Sequence, residues 1–228
     1  MKLVVLDKSI WFPPVENALD ERLLAIGGDL SEERLLLAYS SGIFPWFSED
    51  QPIAWWSPDP RFVLFPEDLY ISKSMRLMLN KNKFKVTTNQ NFKEVIIQCA
   101  IAKRNFQYGT WITDEMIDAY INLYNKGFAH SVEVWNEDEL VGGLYGIRMG
   151  KCFFGESMFA KTSNASKFGF ISFVEKLKER GYVLIDCQVH TDHLESLGAV
   201  EIPKKMFLDY LAANAHEPTW KGKWTDLF

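Results

Sequence analysis

Apolar positions fall into regular runs beyond residue 61 and into broken clusters before it. Over the first sixty residues the clusters are punctuated by Pro, Gly and Trp: Trp11-Phe12-Pro13-Pro14, Ile26-Gly27-Gly28-Asp29, Gly42-Ile43-Phe44-Pro45-Trp46-Phe47 and Trp55-Trp56-Ser57-Pro58-Asp59-Pro60. Prolines at this density interrupt regular structure. One helix is predicted there, opened by Ser31 with Glu32 and Glu33 in its first turn, carrying Leu35, Leu36 and Tyr39, and stopped at Gly42. A boundary is expected just after Pro60-Arg61, with a small Pro/Trp-rich N-terminal domain over 1–61 and a larger domain over 62–228.

The larger part reads as alternating helices and strands. A helix around Ser74–Leu79 leads to a strand at Phe84–Thr88, and a helix follows at Phe92–Ala102. The next helix is well signalled, with Thr113 as N-cap, Asp114 and Glu115 in turn one, and Gly127 at C′. Strands are predicted at Ser131–Trp135, Leu140–Arg148 and Cys152–Phe154, the first two joined by a turn at Asn136–Asp138. A helix over Ala165–Glu179, a strand over Tyr182–Gln188, a short helix near Asp192–Leu197 and a last helix with Pro203 at N1 complete the chain. Helices flanking a mostly antiparallel central sheet define an α+β class. The order helix, helix, hairpin, helix, strand is also that of the acetyltransferase-like (GNAT-type) fold, by analogy.

Composition narrows the setting. The 228 residues are 47% hydrophobic and 24% charged, which fits one large domain or a small one plus a larger one. Three cysteines without a CxxC pair argue for a reducing, cytoplasmic compartment. The N-terminus does not read as a signal peptide, and no apolar run approaches a membrane span of roughly 18 residues. A net charge of −5 speaks against a nonspecific nucleic-acid coat. Against that background, Lys73, Arg76, Lys81, Lys83 and Lys85, with Lys93 beyond them, form a stretch without one acidic residue. It reads as a phosphate-contacting face, with a solvated surface as the alternative.

Candidate chemistry concentrates in Phe153 to Phe159 and Leu184 to Gln188. Strand alternation sends Asp186 and Gln188 to one face, with Ile185 and Cys187 on the other. An unpaired buried Asp is costly, so Asp186 belongs at a functional rim or in a pair. Glu156 sits inside an apolar run and calls for a cationic partner, either an internal Lys or Arg or a ligand. Trp46, Trp55, Trp56 and Trp111 lie in loop-like contexts, where aromatics stack bases or cement a small domain. His190-x-x-His193 has no third ligand nearby in sequence, so no metal is expected. Gly142-Gly143 marks a bulge or a close backbone approach inside a strand.

These segments together resemble the bacterial leucyl/phenylalanyl-tRNA–protein transferase family. The resemblance rests on Leu23 to Leu30, Gly42 to Phe47, Trp55 to Arg61, Gly109 to Thr113, His130 to Trp135, Gly155 to Phe159 and Leu184 to Gln188. It implies a small N-terminal domain joined to an acetyltransferase-like one. The implied activity is transfer of Leu, Phe or, less well, Met from aminoacyl-tRNA to proteins beginning with Arg or Lys, marking them for N-degron degradation. Leu-tRNA, Phe-tRNA and such acceptor proteins are the implied partners; no cofactor or membrane is expected. By the resemblance, Asp186 and Gln188 are catalytic, Glu156 serves the acceptor, and Trp46 and Trp111 stack the terminal adenosine. An apolar aminoacyl pocket maps to Phe153, Met158, Phe173 and Ile185, with Leu144 where a relative carries Met. The tail after Asn214 carries no implied role. An acyl-CoA-dependent N-acetyltransferase and a noncatalytic tRNA-binding module are the alternatives; the first needs a pyrophosphate-cradling turn that Arg148-Met149-Gly150-Lys151 does not supply.

Overall fold

In the computed structural model the described residues are 2–20, 22–102, 111–215, 224–225 and 227–228. The N-terminal segment is more regular than its prolines suggest. Strand β1 (Val4–Leu6) is followed by β2 (Leu23–Gly27), helix α1 (Glu32–Ser40), β3 (Phe44–Pro45) and β4 (Ala54–Trp56). The four strands form one sheet in the order β1-β2-β4-β3. Each strand is five residues or shorter, so no apolar period can develop before a Pro or Gly ends it. Trp55 is fully buried and donates its indole N–H to the Gly27 carbonyl at 2.9 Å. Trp56 donates to the Trp46 carbonyl at 2.7 Å. Both indoles are thus tied to the backbone of the small N-terminal segment.

The remaining elements are β5 (Arg61–Leu64), α2 (Lys73–Asn80), β6 (Lys85–Thr88), α3 (Phe92–Ile101), α4 (Asp114–Asn125), β7 (Ala129–Asn136), β8 (Glu139–Met149), β9 (Cys152–Ala160), α5 (Ala165–Glu179), β10 (Leu184–Gln188), α6 (Asp192–Glu195), β11 (Val200–Ile202) and α7 (Lys204–Asn214). The Thr113 hydroxyl caps α4 by accepting from the Met116 N–H at 3.3 Å, and Gly127 follows the helix at φ +82°. Pro203 occupies the N-cap rather than N1, and Asp59 accepts the Lys204 N–H at 2.9 Å.

Seven strands form the main sheet in the order β11-β5-β10-β9-β8-β7-β6, antiparallel except for the β9–β10 pair. Adjacent glycines in β8 show what covers its two faces. A Cβ on Gly142 would meet Ala165 of α5 at 2.9 Å, and one on Gly143 would meet Val95 of α3 at 3.3 Å. Helices therefore lie on both faces. One apolar core, holding Val95, Met116 and Leu123, is continuous with the small sheet through Tyr39, Phe44 and Trp55. The other lies under α5 and gathers Phe168, Phe170, Phe173 and Phe153.

Candidate active site

Two β-bulges shape the centre of the sheet. Tyr145 pairs with Ser157 and Gly146 with Gly155, so Glu156 is an extra residue on β9. Asp186 pairs with Val63 and Gln188 with Phe62, so Cys187 is extra on β10. A bulge re-aims the side chains beside it. The parallel β9–β10 pairing ends at Asp186 with Phe154, although β9 runs on to Ala160. Gln188 sits at φ +65°, a left-handed conformation that costs a non-glycine residue roughly 1–2 kcal/mol. Simple alternation therefore fails at this strand end. Ile185, Asp186, Cys187 and Gln188 all border one cavity of about 510 Å3, although alternation sets them on opposite faces.

Of the residues proposed from sequence, Trp46, Trp111, Leu144, Phe153, Glu156 and Met158 also line this cavity. Phe173 does not. It stands behind Phe153, ring centroids 4.8 Å apart and edge-on. Phe170 of α5 lines the wall instead.

Asp186 and Glu156 are both buried, and their partners differ. Arg61 clamps Asp186 from two directions: Nε to Oδ1 at 2.8 Å and Nη2 to Oδ2 at 2.6 Å. The guanidinium lies 4.8 Å from the Phe44 ring centre and 4.5 Å from that of Phe207, and Nη1 donates to the Gly42 carbonyl at 3.1 Å. Asp186 Oδ1 also accepts the Gln188 N–H at 2.9 Å, which holds the left-handed turn in place. The Asp thus has the pair that its burial requires.

Glu156 has no ion pair among the described residues, so of the two partners its setting left open, an internal Lys or Arg and a ligand, the first is not found there. Its Oε1 accepts from the Tyr39 hydroxyl at 2.8 Å and the Gln188 amide at 2.9 Å; Oε2 accepts from the Tyr120 hydroxyl at 3.0 Å. The two tyrosine hydroxyls also touch each other. Three oxygen–oxygen contacts thus join Glu156, Tyr39 and Tyr120, and the hydroxyls supply two protons. A third proton, on the carboxyl, completes the set when Glu156 donates to one tyrosine and that tyrosine donates to the other. Burial pushes the Glu156 carboxyl up to about 7, the three hydrogen bonds opposing the rise and nearby Asp186 adding to it. Burial likewise pushes both tyrosine hydroxyls well above 10. The site therefore holds a carboxyl poised between its two forms near neutral pH.

Sequence reasoning missed Arg61, Tyr39 and Tyr120 as members of this site. They reach it from 125, 117 and 36 residues away respectively. Cys187 borders the cavity as well, but burial raises its thiol far above the neutral range, which keeps it protonated.

The basic stretch lies elsewhere. Lys73 and Arg76 on α2, Lys81 and Lys83 after it, and Lys85 on β6 are all exposed. Strand β6 is the far edge of the sheet, with β9, β8 and β7 between it and β10. His190, Asp192 and Glu195 bring ligand atoms within 4.8 Å of one another at the surface; His193 is not in this group. Exposed acidic groups of this kind are common without an ion, and nothing else there points to one. The turn between β8 and β9, where an acyl-CoA enzyme needs an open cradle, is covered. Lys151 N–H bonds to the Asn214 carbonyl at 3.3 Å, and a Cβ on Gly150 would overlap that oxygen.

Comparison with known proteins places the chain among the aminoacyltransferases. A model described as leucyl/phenylalanyl-tRNA protein transferase matches residues 63–212, and a model of the N-terminal domain of the same enzymes matches 28–59. The chain belongs to the leucyl/phenylalanyl-tRNA–protein transferase family. The transferase of Pseudomonas fluorescens (strain Pf0-1) is 57% identical over 217 residues, 93% of this chain and 96% of that protein. That of Flavobacterium johnsoniae is 60% identical over 204 residues, 90% and 96% of the two chains. That of Syntrophus aciditrophicus is 52% identical over 225 residues, 99% and 94%. Among solved structures, the L-PGS of Bacillus licheniformis superposes with a TM-score of 0.41 at 14% identity, covering 71% of this chain and 52% of that one. No helix among the described residues is long and apolar enough to cross a membrane.

Proposed function

We propose that the cavity binds the aminoacyl end of Leu-tRNA or Phe-tRNA and that Glu156 receives the cationic end of an acceptor protein beginning with Arg or Lys. The single observation that carries this reading is a buried carboxylate, bordering the cavity, that hydrogen-bonds but has no counter-ion among the described residues. A buried charge normally requires a partner. A cationic acceptor is a partner of the right sign.

The aminoacyl side chain lies against Leu144, Phe153, Met158 and Ile185. Leu, Phe and Met share an unbranched Cβ; a methylene in an apolar pocket is worth roughly 1–3 kcal/mol, enough to reject Ile and Val at a narrow neck. Met158 adapts to differences further out. Trp46 and Trp111 flank the terminal adenosine, and the exposed lysines on α2 and β6 meet the phosphates of a long tRNA. In this reading residues 1–61 form a small domain that lends Tyr39 and Trp46 to an acetyltransferase-like unit over 62–228. A substrate delivered on tRNA sets the work in the cytoplasm, where the product marks the acceptor for degradation through the N-degron route.

The ester is already activated, so the chemistry is attack by the acceptor's α-amine on the ester carbonyl. With a free α-amino pKa near 7.7–8.0, about 10–20% of acceptor is neutral at pH 7. Holding the two substrates in line is worth roughly 7–11 kcal/mol, more than proton abstraction supplies. Gln188 commits its amide N–H to Glu156, which leaves Oε1 to accept from the amine and orient its lone pair. The new C–N bond forms, the ester C–O bond breaks, and the proton shed by nitrogen ends on the ribose oxygen. Asp186 is a positioning group here. Both its oxygens are engaged by Arg61, and it acts by fixing the backbone of Gln188.

The test is transfer of labelled Leu from Leu-tRNA to an Arg-starting peptide. A Glu156→Gln protein should show an acceptor KM raised at least tenfold with an unchanged KM for Leu-tRNA. Unchanged acceptor KM would overturn the assignment.

A further inference from the structure

The described part of the C-terminal tail lies beyond residue 212, where the family model stops, and it is not idle. Trp224 is 4% exposed and lies in the core under α5. Its indole stacks on His130, centroids 4.2 Å apart and planes 7° from parallel. Arg148 approaches the ring at 5.6 Å, and the Thr88 hydroxyl donates to the Trp224 carbonyl. On the other side of the cluster Phe153, which lines the cavity, lies 6.0 Å away and Phe173, behind it, 5.7 Å away, both tilted.

Phe153 has little freedom except toward that tail. Its backbone is paired on both sides, with Arg148 of β8 and Ile185 of β10. Its ring lies so close to Gly146 that a Cβ there would meet it at 2.6 Å. Phe173 packs edge-on against it. Space behind the Phe153 and Phe173 pair is taken by the Trp224 indole, and interiors at native density transmit a volume change to their neighbours. We infer that Trp224 sets the depth of the aminoacyl cavity by backing Phe153, which lines it, and Phe173 behind that ring, making a residue of the C-terminal tail a determinant of which side chain is transferred. The inference rests on the reading that the cavity holds the aminoacyl side chain. Trp224 touches no substrate; it is a positioning residue.

The consequence is directional. A smaller residue at 224 lets the wall retreat, which favours larger aminoacyl groups and weakens the fit of Leu. The experiment uses the full chain with Trp224→Phe and Trp224→Leu, measuring kcat/KM for Leu-tRNA and Phe-tRNA with one Arg-starting peptide. A ratio of two kcat/KM values does not depend on the fraction of enzyme that is folded, so partial loss of stability leaves the readout intact. The Phe/Leu ratio is expected to rise in a graded way, about twofold for Phe and about tenfold for Leu at 224, the larger of these being the low end of what one methylene is worth in an apolar pocket. Acceptor KM stays unchanged. A ratio that stays flat while both activities fall together would make Trp224 merely structural and would overturn the inference. Leu144→Trp, which fills the cavity directly, separates the two levels. If it shifts the ratio while the Trp224 series does not, the tail inference fails alone; if neither shifts it, the cavity reading fails with it.

Discussion

Asp186 and Glu156 are carboxylates buried to similar extents on neighbouring strands, and their surroundings could hardly differ more. Asp186 meets a guanidinium that is itself held between two aromatic rings. Glu156 meets two phenols and an amide, all neutral. The first arrangement is closed: charge matched by charge, every oxygen engaged, nothing left for a ligand to supply. The second is short of a positive charge, and burial pushes its carboxyl up to about 7. The pair sets a buried carboxylate whose cation comes with the fold beside one that has no cation among the described residues.

Breaking the closed half should have the largest effect. Arg61→Met leaves Asp186 buried without a counter-ion, and removal of one partner of a buried pair costs roughly 3–5 kcal/mol. Urea unfolding should show a loss of that order, together with loss of transfer, because the Gln188 turn loses its anchor. An Arg61→Met protein with wild-type stability would dissolve the contrast.

The open half predicts a pH dependence of opposite sense to that of an ion-paired carboxylate. Glu156 is raised from 4.5 to about 7, so between these values the folded state binds more protons than the unfolded one. Its contribution is fully present below about 4.5 and fades as pH climbs to about 7. The size is roughly 3 kcal/mol at 1.36 kcal/mol per pKa unit. Unfolding free energies of wild type and Glu156→Gln, measured over a range of roughly pH 5 to 8, should diverge by that order, with wild type losing stability relative to the variant as pH rises. Parallel curves would place the titrating group elsewhere.

A smaller effect is expected at Tyr39. Tyr39→Phe removes one donor to Glu156, and hydrogen bonds to charged groups are worth roughly 1.5–3 kcal/mol. That bond lowers the carboxyl pKa, so its loss should raise it further and shift the rising limb of the pH–rate profile for transfer upward. Lys83→Ala with Lys85→Ala should do least. It should weaken Leu- and Phe-tRNA binding equally and reduce the salt slope by about 0.7–0.9 for each phosphate that is no longer neutralised.

Much of the larger unit was legible in the chain. The capping of the helix at Thr113, the hairpin that follows it and the helix over Ala165–Glu179 are announced by local chemistry, and local chemistry is what a sequence displays. The small sheet was not legible, because strands as short as Phe44–Pro45 carry no period. Strand β5 was hidden as well: Arg61, beside the expected boundary, is the first residue of a strand of the main sheet. The side chains around Asp186 and Gln188 were nominated from the resemblance, and the cavity borders both; the fold adds what no spacing reveals. Two bulges insert Glu156 and Cys187, and the partners of Glu156 come from three separate elements. A phenol pair in place of a cation is a tertiary fact. So is the position of Phe173, one layer behind the wall it was expected to form.

The most direct measurement is an NMR titration of the Glu156 side-chain carboxyl carbon, assigned by Glu156→Gln, with and without an Arg-starting peptide. A midpoint near 7 is expected in the free enzyme, with a fall of at least one unit when the peptide binds. A midpoint near 4.5 that the peptide leaves unmoved would contradict that expectation.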